Sequence, residues 1–415
     1  AAQRVVDKLC QAFATPLQVD GQPMVVRASM GISVYPYDGD DARTLLASAA
    51  IALPWLASTR ALAQDAPLKL CQSTALSGPL GDLGTALHLG AKAAFNGINA
   101  KGGIHGREIL LQTLDDGYEV PRAVANLDTF LADKDCFALF NCMGTPMVEA
   151  MLPKVKESGI PFFAPFTGGQ LSRVPGARNV FNIRASYAEE AEKCIQHLST
   201  LGVQRIAIAH QNNVFGKEVL TGARSAMERA KLPDGRIATV ENNASDAAAA
   251  AQSIAEANPE AVLLGLAGKP ALEFIKAFRT LRPGVTLYAL SVLGTAANVK
   301  ALGSHATGLV VSQVMPLPTN VIMPVVRDFQ AAWKAMDSKT EASHLALEGY
   351  INARVFAEAL QRAGKNPTRA SFIDATWGLR KMDVGGFEIN ASVPERNASR
   401  FVELTLVNRE GRFVR

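Results

Sequence analysis

The sequence predicts a doubly wound α/β protein whose parallel sheets form two lobes. Short apolar runs of strand length alternate with longer segments of helical periodicity, first over residues 68–114 and again as far as residue 290. Such alternation favours parallel sheets, because successive parallel strands need a helical crossover. With 415 residues, of which 48% are apolar, the chain can bury two cores of ordinary domain size.

The first strand-helix-strand unit has the clearest pattern. An apolar run around Leu68 and Leu70 stops at a Ser-Gly-Pro turn over residues 77–79. A helix follows, and the paired glycines Gly102 and Gly103 end it, since glycine readily adopts the left-handed conformation found after a helix. A second strand is predicted over residues 108–114. One face of this helix carries apolar residues at helical spacing: Leu87, Ala91, Ala94, Phe95 and Ile98.

The same alternation continues along the chain. Strands are predicted over residues 137–141, 161–165, 205–210, 237–241, 261–264 and 286–290. Helices are predicted between them over residues 147–158, 217–230 and 247–257.

Charge and motif content exclude several function classes. The 42 basic and 38 acidic residues are dispersed along the chain, so nucleic-acid binding is not expected. The six histidines are never within five residues of one another, and the sequence contains no phosphate-binding loop or nucleophile elbow. We therefore expect no enzymatic activity, no bound metal ion and no cofactor. Asp115 and Asp116 follow a predicted strand, where a structural role is favoured over an acid-base pair.

Five cysteines are present, and their spacing does not demand a disulfide. Cys136 and Cys142 flank one predicted strand, which would hold them roughly 20 Å apart and exclude a bond between them. Buried thiols are the default expectation.

A set of short motifs carries a family resemblance. The motifs are Ile-Asn-Ala-Lys-Gly-Gly-Ile at 98–104, Asp115-Asp116 with Pro121, Phe-Asn-Ile-Arg at 181–184, Phe215-Gly216, Asn258-Pro259 with Ala261-Val262, Gly-Leu-Val-Val at 308–311 and Glu-Gly-Tyr at 348–350. Their order and spacing are specific: from residue 67 to residue 415 the chain resembles the type I periplasmic solute-binding proteins of branched-chain amino-acid ABC transporters, of the leucine-binding-protein kind.

This resemblance implies two Rossmann-like lobes joined by a hinge of three crossings, which closes around a small-molecule solute. The first lobe would comprise residues 67–186 and 317–378, and the second residues 187–316 and 379–415. The implied function is solute capture for an ABC importer, as a monomer that delivers its solute to membrane permease and ATPase subunits. A ligand-sensing module of a signalling system is the alternative.

The resemblance also places the pocket at the carboxyl ends of the strands. A ligand carboxylate would meet Gly144, Thr145 and Pro146 at a helix start, where amide groups and the helix dipole favour an anion. Thr145 could equally be a plain helix cap. Further ligand contacts are implied for the loop after the next strand and for the first crossing: Phe166, Thr167, Gly168 and Tyr187, although Tyr187 could also pack only on the hinge.

The second lobe departs from the amino-acid-binding pattern. Phe215 stands where a tyrosine is common, Ala267 occupies another aromatic position, and Leu83 replaces an aromatic residue near the entrance. Leu293 sits where an acidic residue would pair with a ligand ammonium. The departures predict a carboxylate or amide with an apolar body, and they disfavour an α-amino acid, because an unpaired buried ammonium is costly. A branched-chain amino acid is kept as an alternative ligand.

Two further segments precede this region. Residues 44–66 have an apolar core and an Ala-Leu-Ala site at 61–63, as in a secretory signal peptide. Residues 1–53 resemble the C-terminal part of a GGDEF (diguanylate cyclase) domain, a truncated fragment over about residues 1–50 without the signature motif, so no cyclase activity is expected. The protein would be periplasmic if the internal signal-like segment is used, and cytoplasmic otherwise.

Overall fold

The computed structural model describes residues 66–336, 341–392 and 397–415, together with the backbone of two short strands near the N-terminus. Those strands, β1 (Leu17–Val19) and β2 (Gln22–Met24), pair antiparallel. The chain divides into two compact units, Ala1–Gln64 and Asp65–Arg415. The GGDEF-like fragment and the signal-peptide-like segment therefore lie almost entirely outside the described residues.

The first sheet of the larger unit is parallel throughout. Its strand order is β4-β3-β5-β6-β7, so the first strand along the chain lies inside the sheet. The strands are β3 (Leu68–Thr74), β4 (Ile109–Asp115), β5 (Cys136–Phe140), β6 (Phe162–Phe163) and β7 (Val180–Phe181), and the connecting helices are α1 (Gly81–Asn99), α2 (Val120–Ala132) and α3 (Thr145–Ser158). The predicted strand-helix-strand units are confirmed, and α1 ends before Gly102 and Gly103, both of which have positive φ.

The second sheet has seven strands in the order β16-β15-β12-β11-β10-β8-β9. The strands from β8 to β12 are parallel, and β15 and β16 add an antiparallel edge. Its strands are β8 (Ile206–Gln211), β9 (Ile237–Val240), β10 (Ala261–Gly265), β11 (Thr286–Ala289), β12 (Val310–Gln313), β15 (Glu403–Val407) and β16 (Phe413–Val414). Its helices are α4 (Tyr187–Thr200), α5 (Val214–Arg229), α6 (Ala247–Glu256), α7 (Gly268–Leu281) and α8 (Ala296–Leu302).

Helix α5 begins three residues before its predicted start. The side chain of Asn213 accepts a hydrogen bond from the Gly216 amide at 3.0 Å, which caps the helix.

After β12 the chain returns to the first lobe and adds three helices. They are α9 (Pro324–Ala335), α10 (His344–Ala363) and α11 (Arg369–Trp377), and a short hairpin follows, β13 (Met382–Asp383) with β14 (Glu388–Ile389). Phe356 of α10 packs edge-on against Phe140 and Phe163 of the sheet, with ring centroids 5.7 and 5.2 Å apart. This aromatic cluster fixes the returning segment to the first lobe before the chain passes to β15.

Helices α1 and α10 cross at two glycines. A Cβ atom added to Gly90 would collide with the backbone carbonyl of Ala346, and one added to Gly349 would collide with the carbonyl of Leu87. The glycines therefore let the two backbones meet, which a side chain would prevent.

The cysteines differ in part from the sequence expectation. Cys71 and Cys136 form a disulfide with Cα atoms 6.0 Å apart, so the expectation of buried thiols is wrong for this pair. The reason is the strand order, which places β5 beside β3 although 65 positions separate the two residues. Cys142 and Cys194 are buried free thiols, and the exclusion of a Cys136–Cys142 bond is confirmed.

No helix within the described part of the chain is long and apolar enough to cross a membrane.

Candidate functional site

Loops at the carboxyl ends of strands in both sheets converge on two neighbouring cavities. The smaller one, called here the inner chamber, has a volume of about 20 Å³, and the larger one, the outer chamber, has about 320 Å³. Both chambers share the wall residues Leu80, Tyr118 and Ala267. Leu80 follows β3 in the first lobe and Ala267 follows β10 in the second, so residues of both lobes enclose the site.

Three side-chain hydroxyls meet at the inner chamber. Thr145 Oγ1 lies 2.8 Å from Thr167 Oγ1 and 3.3 Å from the Tyr187 hydroxyl. Thr145 is the first residue of α3, but the cap position belongs to Gly144 and no side chain caps this helix, so capping does not explain Thr145. We call these three residues the hydroxyl cluster. Each hydroxyl can donate or accept a hydrogen bond, which suits a carboxylate or an amide.

A buried arginine fixes the loop that carries Thr167. The guanidinium of Arg173 donates to the carbonyl oxygens of Thr167 at 3.1 Å, Gly169 at 2.8 Å and Arg184 at 3.0 Å. Burial lowers the pKa of Arg173 to about 10, so the side chain stays charged at neutral pH. Gly168 lies in the same loop, and a Cβ atom there would be only 2.5 Å from Cδ1 of Tyr187. The loop therefore positions Tyr187 as well as Thr167.

Aromatic and aliphatic side chains form the rest of the inner chamber. The rings of Tyr187 and Phe215 meet edge to face with centroids 5.1 Å apart. Phe166, Leu83 and Val292 complete this apolar surface. Apolar atoms of a ligand that lie next to the hydroxyl cluster would be removed from water by this surface.

A buried charge cluster lies behind this wall. The Arg184 guanidinium stacks on Phe166 at 4.5 Å from the ring centroid. Its nitrogens lie 3.4 Å from a carboxylate oxygen of Glu190 and 3.6 Å from one of Glu348, and it also hydrogen-bonds Ser291. Burial raises the pKa of Glu348 to about 7.

The chambers themselves contain little charge. Among the described residues that line them, none is Asp or Glu, and Lys269 is the one that carries a charge. A ligand ammonium would therefore find no carboxylate partner on these walls.

The structure brings most of the sequence-predicted residues together. Seven of them line the inner chamber: Leu83, Gly144, Thr145, Phe166, Tyr187, Phe215 and Ala267. Thr167 reaches the site through its bond to Thr145, Gly168 contacts Tyr187, and Pro146 lines the outer chamber.

The prediction that Leu293 lines the pocket is wrong by one residue. Its side chain packs in the core of the second lobe, and Val292 faces the inner chamber instead. The segment Ser291–Leu293 is a 3₁₀ turn, which directs successive side chains to different sides. Ser291 consequently meets Glu190, Val292 the chamber and Leu293 the core.

Several lining residues are absent from the sequence prediction. Tyr118 belongs to both chambers, three residues beyond the end of β4, with a φ of 65°. Its position beyond a strand end is the one signal that could have identified it. The other lining residues that the sequence prediction lacks are Pro79, Leu80, Val120, Met143, Met147, Gln211, Asn213, Asn242, Gly268, Lys269, Pro270 and Val292.

Asp115 and Asp116 have structural roles, as expected. Burial raises the pKa of Asp115, but hydrogen bonds from Ser77, Leu76, Gly117 and Arg122 outweigh it and hold the pKa below its ordinary value. Asp116 accepts from Ser73 at 2.7 Å and from the Tyr118 amide at 2.9 Å. In the part of the chain that the structure describes, no group of three His, Cys, Asp or Glu residues could hold a metal ion.

Two parallel-sheet lobes with a cavity where their strand ends meet define a two-lobed solute-binding protein of type I architecture. The family model for periplasmic binding proteins matches residues 67–400, and the chain belongs to that family of non-enzymatic solute-binding proteins. The family implies a small solute and an ABC transporter.

Known relatives agree with this assignment. The chain is 22% identical over 303 residues to Leu/Ile/Val-binding protein homolog 3 of Brucella melitensis, covering 72% of this chain and 80% of that protein. A substrate-binding periplasmic protein from Ralstonia solanacearum is 32% identical, with 84% of this chain and 99% of that chain covered at a TM-score of 0.78. A solute-binding protein from R. palustris, solved with benzoate, shows the same fold at 20% identity and a TM-score of 0.74, covering 84% of this chain and 95% of that one.

Proposed function

We propose that this protein captures a small carboxylate or amide with an apolar body for an ABC importer. The observation that carries the proposal is the hydroxyl cluster at the start of α3, set in apolar walls without an acidic residue among the described lining residues. The hydroxyls of Thr145, Thr167 and Tyr187 would hold the polar end of the ligand, and the apolar walls would cover its body.

The charge of the site disfavours an α-amino acid. The sequence argument depended on Leu293, which lies outside the chambers, but the walls of both chambers support the same conclusion. An ammonium buried there would lose water and gain no carboxylate, at a cost of several kcal/mol. The ligand of the R. palustris protein, benzoate, is likewise a carboxylate without an amino group.

The proposal includes two closing lobes and an extracytoplasmic location. Residues 67–186 with 317–378 would form the first lobe and residues 187–316 with 379–415 the second, with the solute enclosed between them. The Cys71–Cys136 disulfide supports an oxidising compartment such as the periplasm. The protein would act as a monomer and pass its solute to permease and ATPase subunits in the membrane.

A matched set of ligands tests the chemistry of the pocket. 4-Methylpentanoate is leucine without its ammonium group, and 3-methylbutylamine is leucine without its carboxylate. We expect calorimetry on the full chain to show the acid binding about a hundredfold more tightly than leucine, with no binding of the amine. Tighter binding of leucine would mean that the site has an ammonium partner, and the proposed ligand class would be wrong.

One pair of variants tests the hydroxyl cluster. Thr145→Val keeps the side-chain shape but removes the hydroxyl, and we expect about a tenfold or greater loss of affinity for the acid. Thr280→Val is the matched control, because among the described residues the Thr280 hydroxyl donates only to the carbonyl of Lys276, on an exposed helix face. Equal affinities of the two variants for the acid would show that the hydroxyl cluster does not take part in binding.

A further inference from the structure

The two chambers differ in the room that they offer. The inner chamber, at about 20 Å³, has room for about one water molecule and is far too small for a whole small-molecule ligand. The outer chamber, at about 320 Å³, reaches the lower end of the range for ligand sites. A ligand whose polar end meets the hydroxyl cluster must therefore extend past Leu80, Tyr118 and Ala267 into the outer chamber.

The outer chamber has one apolar side and one polar side. The first lobe contributes apolar side chains, among them Pro79, Val120 and Met147. The second lobe contributes three side-chain amides, from Gln211, Asn213 and Asn242, and the ammonium of Lys269: this set is called here the amide wall. A purely apolar ligand would offer no hydrogen-bond partner to the amide wall.

Hydrogen bonds within the amide wall fix the orientation of each amide. The Ala267 amide donates to Gln211 Oε1 at 3.1 Å, and the Gly216 amide donates to Asn213 Oδ1 at 3.0 Å. Because a backbone N–H can only donate, these oxygens are assigned, and Gln211 and Asn213 present their nitrogens elsewhere. Gln211 Nε2 and Asn213 Nδ2 each donate to Asn242 Oδ1 at 2.9 Å.

The remaining hydrogen-bonding capacity of the amide wall is mainly that of donors, although Gln211 Oε1 and Asn213 Oδ1 each accept only one hydrogen bond within the described chain. Each side-chain amide nitrogen has two N–H groups, and within the described chain only one is engaged on Gln211 and one on Asn213. Gln211 is only 6% exposed, so its second N–H has little access to bulk water. Asn242 Oδ1 already accepts twice. The complement of this surface is a hydrogen-bond acceptor.

Charge favours an anionic acceptor. Lys269 is the second residue of α7 and lies at the exposed edge of the outer chamber. Over residues 66–336, 341–392 and 397–415, no carboxylate lies within salt-bridge distance of Lys269. Lys269 lines the same cavity as the three residues of the amide wall that carry side-chain amides.

We infer that the solute is an elongated dicarboxylate, with one carboxylate at the hydroxyl cluster and the other at the amide wall. Its methylene or aromatic body lies between them, against Leu80, Tyr118 and Met147. The inference rests on the proposed function, since it places the first carboxylate at Thr145. It adds Lys269, Gln211 and Asn213 as the residues that determine specificity for the second.

Pairs of acids matched in length test this inference on the full chain. We compare hexanoate with hexanedioate and octanoate with octanedioate by calorimetry, in wild type and in the variants Lys269→Met, Lys269→Glu and Lys276→Met. Lys276 is the matched control, because it lies on the same helix, pairs with Glu273 and lines neither chamber. We expect one dicarboxylate to bind about tenfold more tightly than the monocarboxylate of its length.

Lys269→Met is expected to abolish that preference without weakening the monocarboxylate, Lys269→Glu to reverse it, and Lys276→Met to preserve it. The wild-type preference is also expected to decrease with added salt, since Lys269 is exposed. Monocarboxylates that bind as tightly as dicarboxylates, or a Lys269→Met variant that weakens both equally, would overturn the inference and leave the proposed function intact. Failure of every carboxylate and amide to bind would overturn both.

Discussion

The crossing of helices α1 and α10 gives the sharpest test of the packing. Gly90 and Gly97 both lie in α1, and we consider the same substitution, alanine, at each position. At Gly90 the new methyl group would collide with the backbone carbonyl of Ala346, whereas at Gly97 nothing lies within 4 Å of it. The two substitutions should therefore change stability in opposite directions.

The magnitudes follow from two opposing terms. Alanine is favoured over glycine inside a helix by about 1 kcal/mol, so Gly97→Ala should raise the free energy of unfolding by roughly that amount. At Gly90 the same gain is opposed by overpacking. The added Cβ atom would lie 1.8 Å from the Ala346 carbonyl oxygen, and ordinary contact begins at 3.4 Å, so the helices must separate by roughly 1.6 Å. Overpacking in a well-packed core costs up to about 3 kcal/mol or more, so Gly90→Ala should lower the free energy of unfolding by about 2 kcal/mol.

Urea denaturation of the full chain, followed by circular dichroism, measures both changes. Gly349→Ala should behave like Gly90→Ala, because its methyl group would meet the carbonyl of Leu87 from the other side of the same crossing. If Gly90→Ala stabilised the protein as Gly97→Ala does, the close contact between α1 and α10 would be refuted.

Three further predictions concern the charge cluster, the disulfide and the binding loop. Burial raises the pKa of Glu348 from 4.5 to about 7, so the folded state holds this proton to a higher pH than the unfolded state does. The free energy of unfolding should therefore fall by up to about 3 kcal/mol as the pH rises from 4.5 to about 7. Denaturation curves from pH 4 to 8 should show this slope in wild type but not in Glu348→Gln, and an unchanged slope in the variant would exclude Glu348 as its source. The disulfide closes a loop with a sequence separation of 65, so replacing Cys71 and Cys136 by alanine should lower the free energy of unfolding by about 4 kcal/mol. Equal urea midpoints for wild type and the double variant would contradict a stabilising disulfide. Gly168→Ala forces Tyr187 to move and should weaken binding of 4-methylpentanoate in calorimetry, and wild-type affinity would show that this packing is unimportant for the site.

Much of the candidate site could be predicted from the sequence. Thr145, Phe166, Phe215 and Ala267 each follow a predicted strand, and the carboxyl ends of parallel strands necessarily meet at one edge of a sheet. The family resemblance pointed to these residues, and the order of strands and helices gives the physical reason why they can meet. The wrong prediction for Leu293 arose because a 3₁₀ turn decides which side chain faces the cavity there. The apolar periodicity of the sequence does not indicate such a turn.

The sequence by itself determined the α/β class, the strand-helix alternation and the end of α1 at Gly102 and Gly103, because these depend on residues close together in the chain. Only the tertiary structure decided features that join distant residues. It paired Cys71 with Cys136 through the strand order, and it oriented Gln211 through the backbone amide of Ala267, 56 positions away. Local patterns determine which element forms, but contacts between loops of different strands determine what a binding cavity presents to its ligand.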